Sequence, residues 1–364
     1  MLTEKSKKSR TAKWLAVAAG AFCISASMQV HAAEASGQDD RFRGLIEPIS
    51  AKEPFKVGVT LVHLQDDFWK GIAYGIVDEA KRSNVEVVQV AVAGAYGNVR
   101  EQFAQLGNLQ AKGVDTVIIG AAAYDGFNPI IKSIKDAGID VIAAGIPLNS
   151  SHVDFGVAQD NRAIGIAQQR KVCADANGAQ AGVIVLQGPV GAEWAKQKFD
   201  GFMESAAKEC PNLKLIPGPA GKSMAMERGV TETTDILMRS PDIKYVVTPA
   251  VSLAIGATQA LRQQGLKNVK VMTASVVPEI VPMLKDGRIF GLVSEPGVLM
   301  GRLIVQYAIR QRENLPMPNL EKTAEAPYPA LMVPAEMIDS SMAAAYNFGE
   351  YDLPPRDWSI QAIQ

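Results

Sequence analysis

Short runs of apolar, largely β-branched residues alternate with helix-like patterns through most of the chain. In the segment 66–83, Ile72, Ile76 and Ala80 fall on one face, as in an amphipathic helix. The apolar runs between such segments are short enough to be strands. The predicted strands are 57–62, 85–92, 116–120, 141–144, 183–186, 245–248, 269–273 and 290–293.

This alternation predicts an α/β fold with two doubly wound parallel-sheet lobes. Continuous apolar runs bounded by helices indicate parallel strands that are covered on both faces. The strands outnumber those of one ordinary sheet, so we assign one set to residues 55–157 and a second set to residues from Gly182 onward. Ligands bind beyond the carboxyl ends of such strands, and two facing sheets therefore predict a binding cleft.

The N-terminus has the order of charge and hydropathy that is typical of a cleavable signal peptide. An apolar stretch at 14–28 follows five basic residues and precedes Ala32. The alternative is a membrane anchor, for which the apolar stretch is short. Cleavage after Ala32 also removes Glu4, and the remaining 32 basic and 37 acidic residues carry a net charge of −5. We therefore predict a signal peptide at 1–32, export to the periplasm and a disordered stretch at 33–53.

Export to an oxidising compartment changes the interpretation of the cysteines. Cys173 and Cys210 remain after cleavage, and each ends a helix-like segment beside the predicted strand 183–186. They form either a disulfide, which persists outside the cytosol, or two partly buried free thiols. A catalytic thiol is disfavoured, because the remaining histidines, His63 and His152, lie in no nucleophile motif.

Several motifs resemble those of type I periplasmic binding proteins. The run 56–75, with Asp67-Phe68-Trp69 at the predicted start of a helix, resembles the first strand and helix of that family. The strings at 185–189, 253–256 and 284–288 follow in the family's order. The resemblance implies two lobes that close over a ligand by hinge motion.

The same resemblance implies three crossings between the lobes, near 157–160, 292–296 and 326–332. The implied lobes are 54–157 plus 295–327 and 158–294 plus 330–345, followed by a C-terminal tail at 346–364. This tail is rich in proline and aromatic residues. It either packs across a lobe or presents Tyr351 and Trp358 to a partner.

The residues expected at the cleft are mainly aromatic and acidic. Aromatic faces combined with carboxylates suit a small amine, N-oxide or quaternary ammonium. Where sugar-binding members carry charged and amide residues, this chain has Gly145-Ile146, Ala250-Val251 and Ser275, which argues against a sugar. Two candidates also have structural interpretations, because Asp66 suits a helix N-cap and Trp69 suits a contact to the core. The candidate ligand-binding residues are Asp66, Asp67, Phe68, Trp69, Tyr96, Gln159, Asp160, Trp194, Lys196, Ser275 and Glu295.

Within this family the chain resembles the TorT-type sensors of trimethylamine N-oxide. The shared strings include 67–69, 93–96 and 112–120, and the resemblance implies that Trp69 and Tyr96 contact the ligand. It also implies that the protein signals to a membrane histidine kinase of a two-component system. Gln159-Asp160 and Val276-Val277 replace expected aromatic residues, which favours a more polar ligand. The alternative function is the substrate-binding receptor of an ABC importer, with a permease as the partner.

Other functional classes lack their motifs. The string 218–223 ends like a phosphate loop, but Ile216 replaces its first glycine. The zinc and metallohydrolase spacings HExxH and CxxC are absent from the sequence. The near-neutral precursor charge argues against nucleic-acid binding. We therefore predict a binding protein that is not an enzyme and that uses no cofactor or metal.

Overall fold

The computed structural model describes residues 40–323 and 326–360. The predicted signal peptide and residues 33–39 lie outside this range. Within the described residues, no helix has the length and apolar character needed to cross a membrane.

Strands and helices alternate regularly along the described chain. The strands are β1 Phe55–Leu61, β2 Val85–Val92, β3 Thr116–Ile119, β4 Asp140–Gly145, β5 Phe155–Gln159, β6 Ala181–Val185, β7 Leu213–Pro217, β8 Ile243–Val247, β9 Lys270–Ala274, β10 Gly291–Val293, β11 Leu320–Lys322, β12 Pro329–Val333 and β13 Met337–Ile338. The helices are α1 Asp67–Arg82, α2 Val99–Ala111, α3 Asn128–Asp136, α4 Asn161–Ala176, α5 Glu193–Glu209, α6 Met226–Arg239, α7 Val251–Gln263, α8 Ile280–Lys285, α9 Gly297–Arg312 and α10 Phe348–Tyr351.

The strands form two sheets, one in each lobe. The first has the order β11-β12-β5-β4-β3-β1-β2, and the second has the order β13-β10-β9-β8-β6-β7. Only the β11–β12 and β10–β13 pairs are antiparallel among the described strands. The structure thus confirms the predicted fold class of two mostly parallel α/β lobes.

The third crossing lies later than the sequence indicates. β12 pairs in parallel with β5, with Ala330 opposite Gly156, so residues 330–333 belong to the first sheet. The assignment of residues from 330 onward to the second lobe is therefore wrong for this strand. Its buried apolar residues complete the first core beside β5, and the chain joins the second sheet only at β13.

The predicted disorder at 33–53 is wrong for the described residues 40–53. Phe42 and Ile46 are buried in the core of the first lobe. Gln306 of α9 exchanges two hydrogen bonds of 2.8 Å with the backbone of Ile49. The segment is held because its few apolar side chains are buried and its backbone is hydrogen-bonded by α9.

Glycines allow two pairs of helices to approach closely. A Cβ atom on Gly75 of α1 would lie 2.1 Å from the carbonyl oxygen of Val298 in α9. A Cβ atom on Gly165 of α4 would lie 1.9 Å from the carbonyl oxygen of Lys198 in α5. Both contacts are with backbone, which cannot move aside as the end of a side chain can.

We expect Gly165→Ala to lower the free energy of unfolding by about 1–3 kcal/mol, because the added methyl group overpacks the α4–α5 contact. Gly107→Ala in α2 is the matched control. A Cβ atom on Gly107 would meet nothing within 4 Å, so alanine there should stabilise the helix by about 0.5–1 kcal/mol. Chemical denaturation measures both changes, and equal stabilities of the two variants would contradict the expectation.

A disulfide joins the ends of α4 and α5. Cys173 and Cys210 are bonded, with Cα atoms 6.0 Å apart, within the range that a disulfide requires. Cys210 is buried in the second-lobe core together with Phe202 and Val172. The bond therefore crosslinks a helix pair that already packs closely.

The C-terminal tail packs across the protein. The Tyr351 hydroxyl bonds the backbone and side chain of Asp40, and the Trp358 ring meets Tyr74 at 5.6 Å. Asp352, which follows Tyr351 in the sequence, is buried and accepts a 2.6 Å hydrogen bond from Ser294. Ser294 lies in the second crossing. The Ser294 hydroxyl is in turn 2.8 Å from that of Tyr346. The tail thus holds the segment that connects the lobes.

Candidate functional site

The first-lobe side of the cleft is built by the segments that follow β1 and β2. Asp66 caps α1 by accepting a 2.9 Å hydrogen bond from the backbone N–H of Trp69. The Trp69 indole donates to the Tyr96 hydroxyl at 3.1 Å. The His63 ring meets both aromatic rings edge-on, and its Nε2 lies 3.8 Å from Asp66 Oδ2. These four side chains form one aromatic and acidic cluster.

Trp69 and Tyr96 differ in their access to a ligand. Trp69 is only 1% exposed, and Cβ atoms on Gly120 or Gly145 would lie within 2.5–3.0 Å of its ring. Tyr96 is 47% exposed. The partly buried Phe68 ring stands edge-on to Trp69 at 5.3 Å. The buried Trp69 therefore holds the Tyr96 hydroxyl by a hydrogen bond, and the Tyr96 ring supplies the accessible aromatic surface.

The acids on this side hold their protons more readily than free aspartates do. Surrounding protein raises the pKa of Asp66, the Trp69 N–H and His63 oppose the rise, and Glu295 adds to it. Burial also raises the pKa of Asp67, with Lys70 opposing and Glu279 adding to the rise. The Tyr96 ring is partly exposed, but its hydroxyl lies against the buried Trp69 indole, and the surrounding protein raises its pKa to about 12, so the hydroxyl stays protonated. Because Glu279 follows β9, acids of the two lobes act on each other electrostatically.

A buried cluster of polar groups lies where two crossings meet the second lobe. Gln159 ends β5, Glu295 follows β10, and Lys198 lies on α5, and all three side chains are buried. Glu295 Oε1 accepts hydrogen bonds from Lys198 Nζ and, at 2.6 Å, from Gln159 Nε2. Lys198 Nζ also lies 4.8 Å from the centre of the Trp194 ring. We call Gln159, Glu295, Lys198 and Trp194 the hinge cluster.

Two oxygen acceptors of the hinge cluster have no hydrogen-bond donor among the described residues. Gln159 is 5% exposed, and its Oε1 is buried without a hydrogen bond among the described residues. The amide orientation is set by its Nε2, which donates to Glu295 and, at 3.2 Å, to Asn161 Oδ1. Glu295 Oε2 also has no hydrogen bond among the described residues, but it is not one of the fully buried atoms. Buried polar atoms normally have partners, so Gln159 Oε1 calls for a donor from outside the described residues.

The remaining predicted residues have other environments. Asp160 caps α4 by accepting a 2.8 Å bond from the Ala163 N–H. Lys196 is exposed and pairs with Asp200. Ser275 follows β9 with a positive φ of 71°, and its N–H donates to Val293 O at 2.9 Å. Of the predicted residues, Glu295 lies close enough to Asp66 and Tyr96 to contribute to the raised pKa of each.

Sequence reasoning missed Lys198 and His63. Trp194 and Lys198 are four residues apart on α5, so they share a helix face, while Lys196 points elsewhere. That spacing is the signal by which Lys198 rather than Lys196 could have been chosen. No comparable signal marks His63, which reaches Asp66 and Tyr96 through the turn after β1.

Comparison with known proteins identifies the family. Residues 57–314 match the model of the periplasmic binding protein domain. The chain belongs to the periplasmic binding protein family. Membership accounts for the two lobes and implies a periplasmic or exported protein.

Three relatives of this periplasmic binding protein are informative. The crystal structure of a sugar ABC transport system substrate-binding protein from Bordetella parapertussis 12822 is 49% identical, with a TM-score of 0.81, and the match covers 88% of this chain and all of that one. The xylitol-binding protein of Mycolicibacterium smegmatis is 26% identical over 67% of this chain and 68% of its own. The periplasmic protein TorT of Escherichia coli K12 is 25% identical over 72% of this chain and 75% of its own.

These comparisons revise the resemblance inferred from the sequence. TorT is a distant relative, and proteins named for sugars or polyols are equally or more similar. The relatives named here are binding proteins rather than enzymes. The family therefore supports the capture of a small molecule, and TorT has no special standing among the matches.

Proposed function

We propose that this protein is the substrate-binding receptor of an ABC importer for a small polyhydroxylated solute, a sugar or polyol. The observation that carries the proposal is Gln159 Oε1, an acceptor of the hinge cluster that is buried without a hydrogen bond among the described residues. Its neighbour Glu295 adds Oε2, for which the described residues provide no hydrogen-bond donor. A hydroxyl group can donate to each of them. Leaving such groups unsatisfied after the cleft closes would cost about 1–3 kcal/mol each.

The rest of the cleft suits the same class of ligand. Trp194 and Tyr96 offer apolar ring surface from opposite lobes, while Asp66 and His63 offer further hydrogen-bonding groups. Pockets of this kind combine apolar walls with a few placed polar groups. The apolar residues at 145–146 and 250–251 argued against a sugar, but the hinge cluster provides polar groups from other positions. The names of the Bordetella and xylitol-binding relatives support this choice.

The proposal predicts stabilisation of the exported protein by polyols or aldoses in a thermal-shift screen. The panel should contain pentitols, hexitols, pentoses and hexoses, with trimethylamine N-oxide and betaine as the competing class. A ligand at a hundredfold excess over its Kd should add about 2.7 kcal/mol to the stability of the native state. Gln159→Met should reduce the response, because it removes one of the two free acceptors.

Gln110→Met is the matched control, because Gln110 lies on α2, and among the described residues its side chain donates only to Ser133 O, at 3.5 Å. It should respond as the wild type does. The partner is tested by co-purification from membranes, where a permease is expected. A response to trimethylamine N-oxide alone, with recovery of a histidine kinase, would reject the importer in favour of a TorT-like sensor.

A further inference from the structure

The side chain of Lys198 is buried, and removing such a polar group from water has a desolvation penalty. The residue is 2% exposed, and its ammonium group contacts Glu295 Oε1, the Trp194 ring and, at 3.4 Å, the backbone oxygen of Pro249. Moving a lysine and a glutamate out of water has a large desolvation cost, which their mutual attraction only partly offsets. A buried pair is therefore weak support for a purely stabilising role.

The pairing with Lys198 offsets the negative charge of Glu295 at close range and leaves its carboxylate as a hydrogen-bond acceptor. Its Oε1 is used by Lys198 and Gln159, while Oε2 remains for a ligand. A hydroxyl donating to Oε2 gains a hydrogen bond from a carboxylate that Lys198 holds in place. An ammonium group at the same point would also feel repulsion from Lys198, and within a low-dielectric pocket that repulsion is strong.

We propose that Lys198 determines the charge specificity of the cleft: by neutralising Glu295, it selects an uncharged polyol over the amine of the same shape. The inference rests on the proposed function and deepens it. Lys198 acts through Glu295 and is thus a positioning residue.

The other charged groups of the cleft have partners or tasks of their own. Asp67 lies 3.8 Å from Lys70, and Asp66 uses Oδ1 to cap α1 and faces His63 with Oδ2. Glu279 acts on Asp67 from the second lobe. Glu295, by contrast, is paired with the buried Lys198. A substitution of Lys198 therefore changes the net charge of the hinge cluster, which contains the free acceptors.

The test compares ligand pairs that differ by one group. Isothermal titration would measure the Kd values of xylitol, ribitol and sorbitol and of their 1-amino-1-deoxy analogues, whose amines are protonated at pH 7. The wild type should prefer the polyols by about tenfold or more. Lys198→Met leaves Glu295 unpaired and should invert this preference, with the amine binding at least about tenfold more tightly than the polyol.

Further variants separate specificity from folding. Lys198→Arg keeps the positive charge and should keep the polyol preference. The double variant Lys198→Met, Glu295→Gln removes both charges and should restore that preference, even if the single variant folds poorly. Lys208→Met is the matched control, because Lys208 is an exposed lysine on the same helix, and it should match the wild type.

The outcomes distinguish this inference from the proposed function. If the wild type binds polyols and Lys198→Met keeps the same selectivity, the inference fails while the proposed function stands. If the wild type prefers the amines, or binds no member of any pair or other sugar, both fail. Inversion in Lys198→Met together with restoration in the double variant supports both.

Discussion

Replacing Asp352 with Asn is expected to flatten the fall in stability between pH 4 and 7. Burial raises the pKa of this carboxyl from 3.8 to about 7, although the hydrogen bonds around it and Arg43 oppose the rise. Its Oδ2 is buried without a hydrogen bond among the described residues. Glu295, a further acid near the second crossing, adds to the rise.

The sign follows from proton binding. The folded state holds the Asp352 proton up to about pH 7, whereas the unfolded chain releases it near pH 3.8. The contribution of the group to stability is therefore fully present below pH 3.8 and is lost as the pH rises to 7. A difference of roughly three pKa units corresponds to about 4 kcal/mol.

Asp352→Asn does not titrate, and its side-chain oxygen can still accept the Ser294 hydrogen bond. The free energy of unfolding of the variant, relative to the wild type, should rise by about 4 kcal/mol from pH 4 to 7.5. Denaturation at a series of pH values measures this. Asp286→Asn is the control, because Asp286 is exposed and Arg288 lowers its pKa, so its stabilising effect is lost only as the pH falls. Parallel profiles of Asp352→Asn and the wild type would show that Asp352 is not buried as described.

Removing the disulfide is expected to lower the free energy of unfolding by about 4 kcal/mol. The crosslinked residues are 37 apart in sequence, and a loop of that length restricts the unfolded chain by this amount. The double variant Cys173→Ser, Cys210→Ser should show the loss in denaturant titrations. Because both residues lie in the second lobe, that lobe should become the less stable one.

Reduction of the wild-type protein provides the companion measurement. A reductant should bring the wild type close to the double variant and should leave the double variant itself unchanged. A wild type that keeps its stability after complete reduction, verified by thiol titration, would mean that the close α4–α5 packing alone holds these helices together.

Much of the fold could be predicted from hydrophobic patterning. All eight strands listed from the sequence occur within two residues of their predicted bounds, because buried parallel strands are short and continuously apolar. β7 was missed, since Leu213–Pro217 alternates with Lys214, ends in proline and forms the edge of its sheet. The order of segment 40–53 was missed because the segment contains few apolar residues. Those few are enough to fix it in place, since α9 also hydrogen-bonds its backbone.

The candidate site could be predicted only in part. The turns after strands were found, because carboxyl ends of parallel strands gather at one edge. Which side chains lie in the core depends on tertiary contacts. Trp69, for example, is buried because Gly120 and Gly145, distant in sequence, leave room for its ring. The Lys198–Glu295 pair joins residues 97 apart in sequence, and no local pattern marks a lysine as buried.

The strand order determines when each lobe can fold during translation. The second sheet takes β6 to β10 from one continuous stretch, 181–293, and lacks only the two-residue β13 after it. The first sheet begins at residue 55 but needs β11 and β12, and Asp40, ahead of its first strand, is hydrogen-bonded by Tyr351 of the tail. The first lobe thus starts early but closes only after the main strands of the second sheet and the tail have been synthesised, so its closure spans most of the described residues.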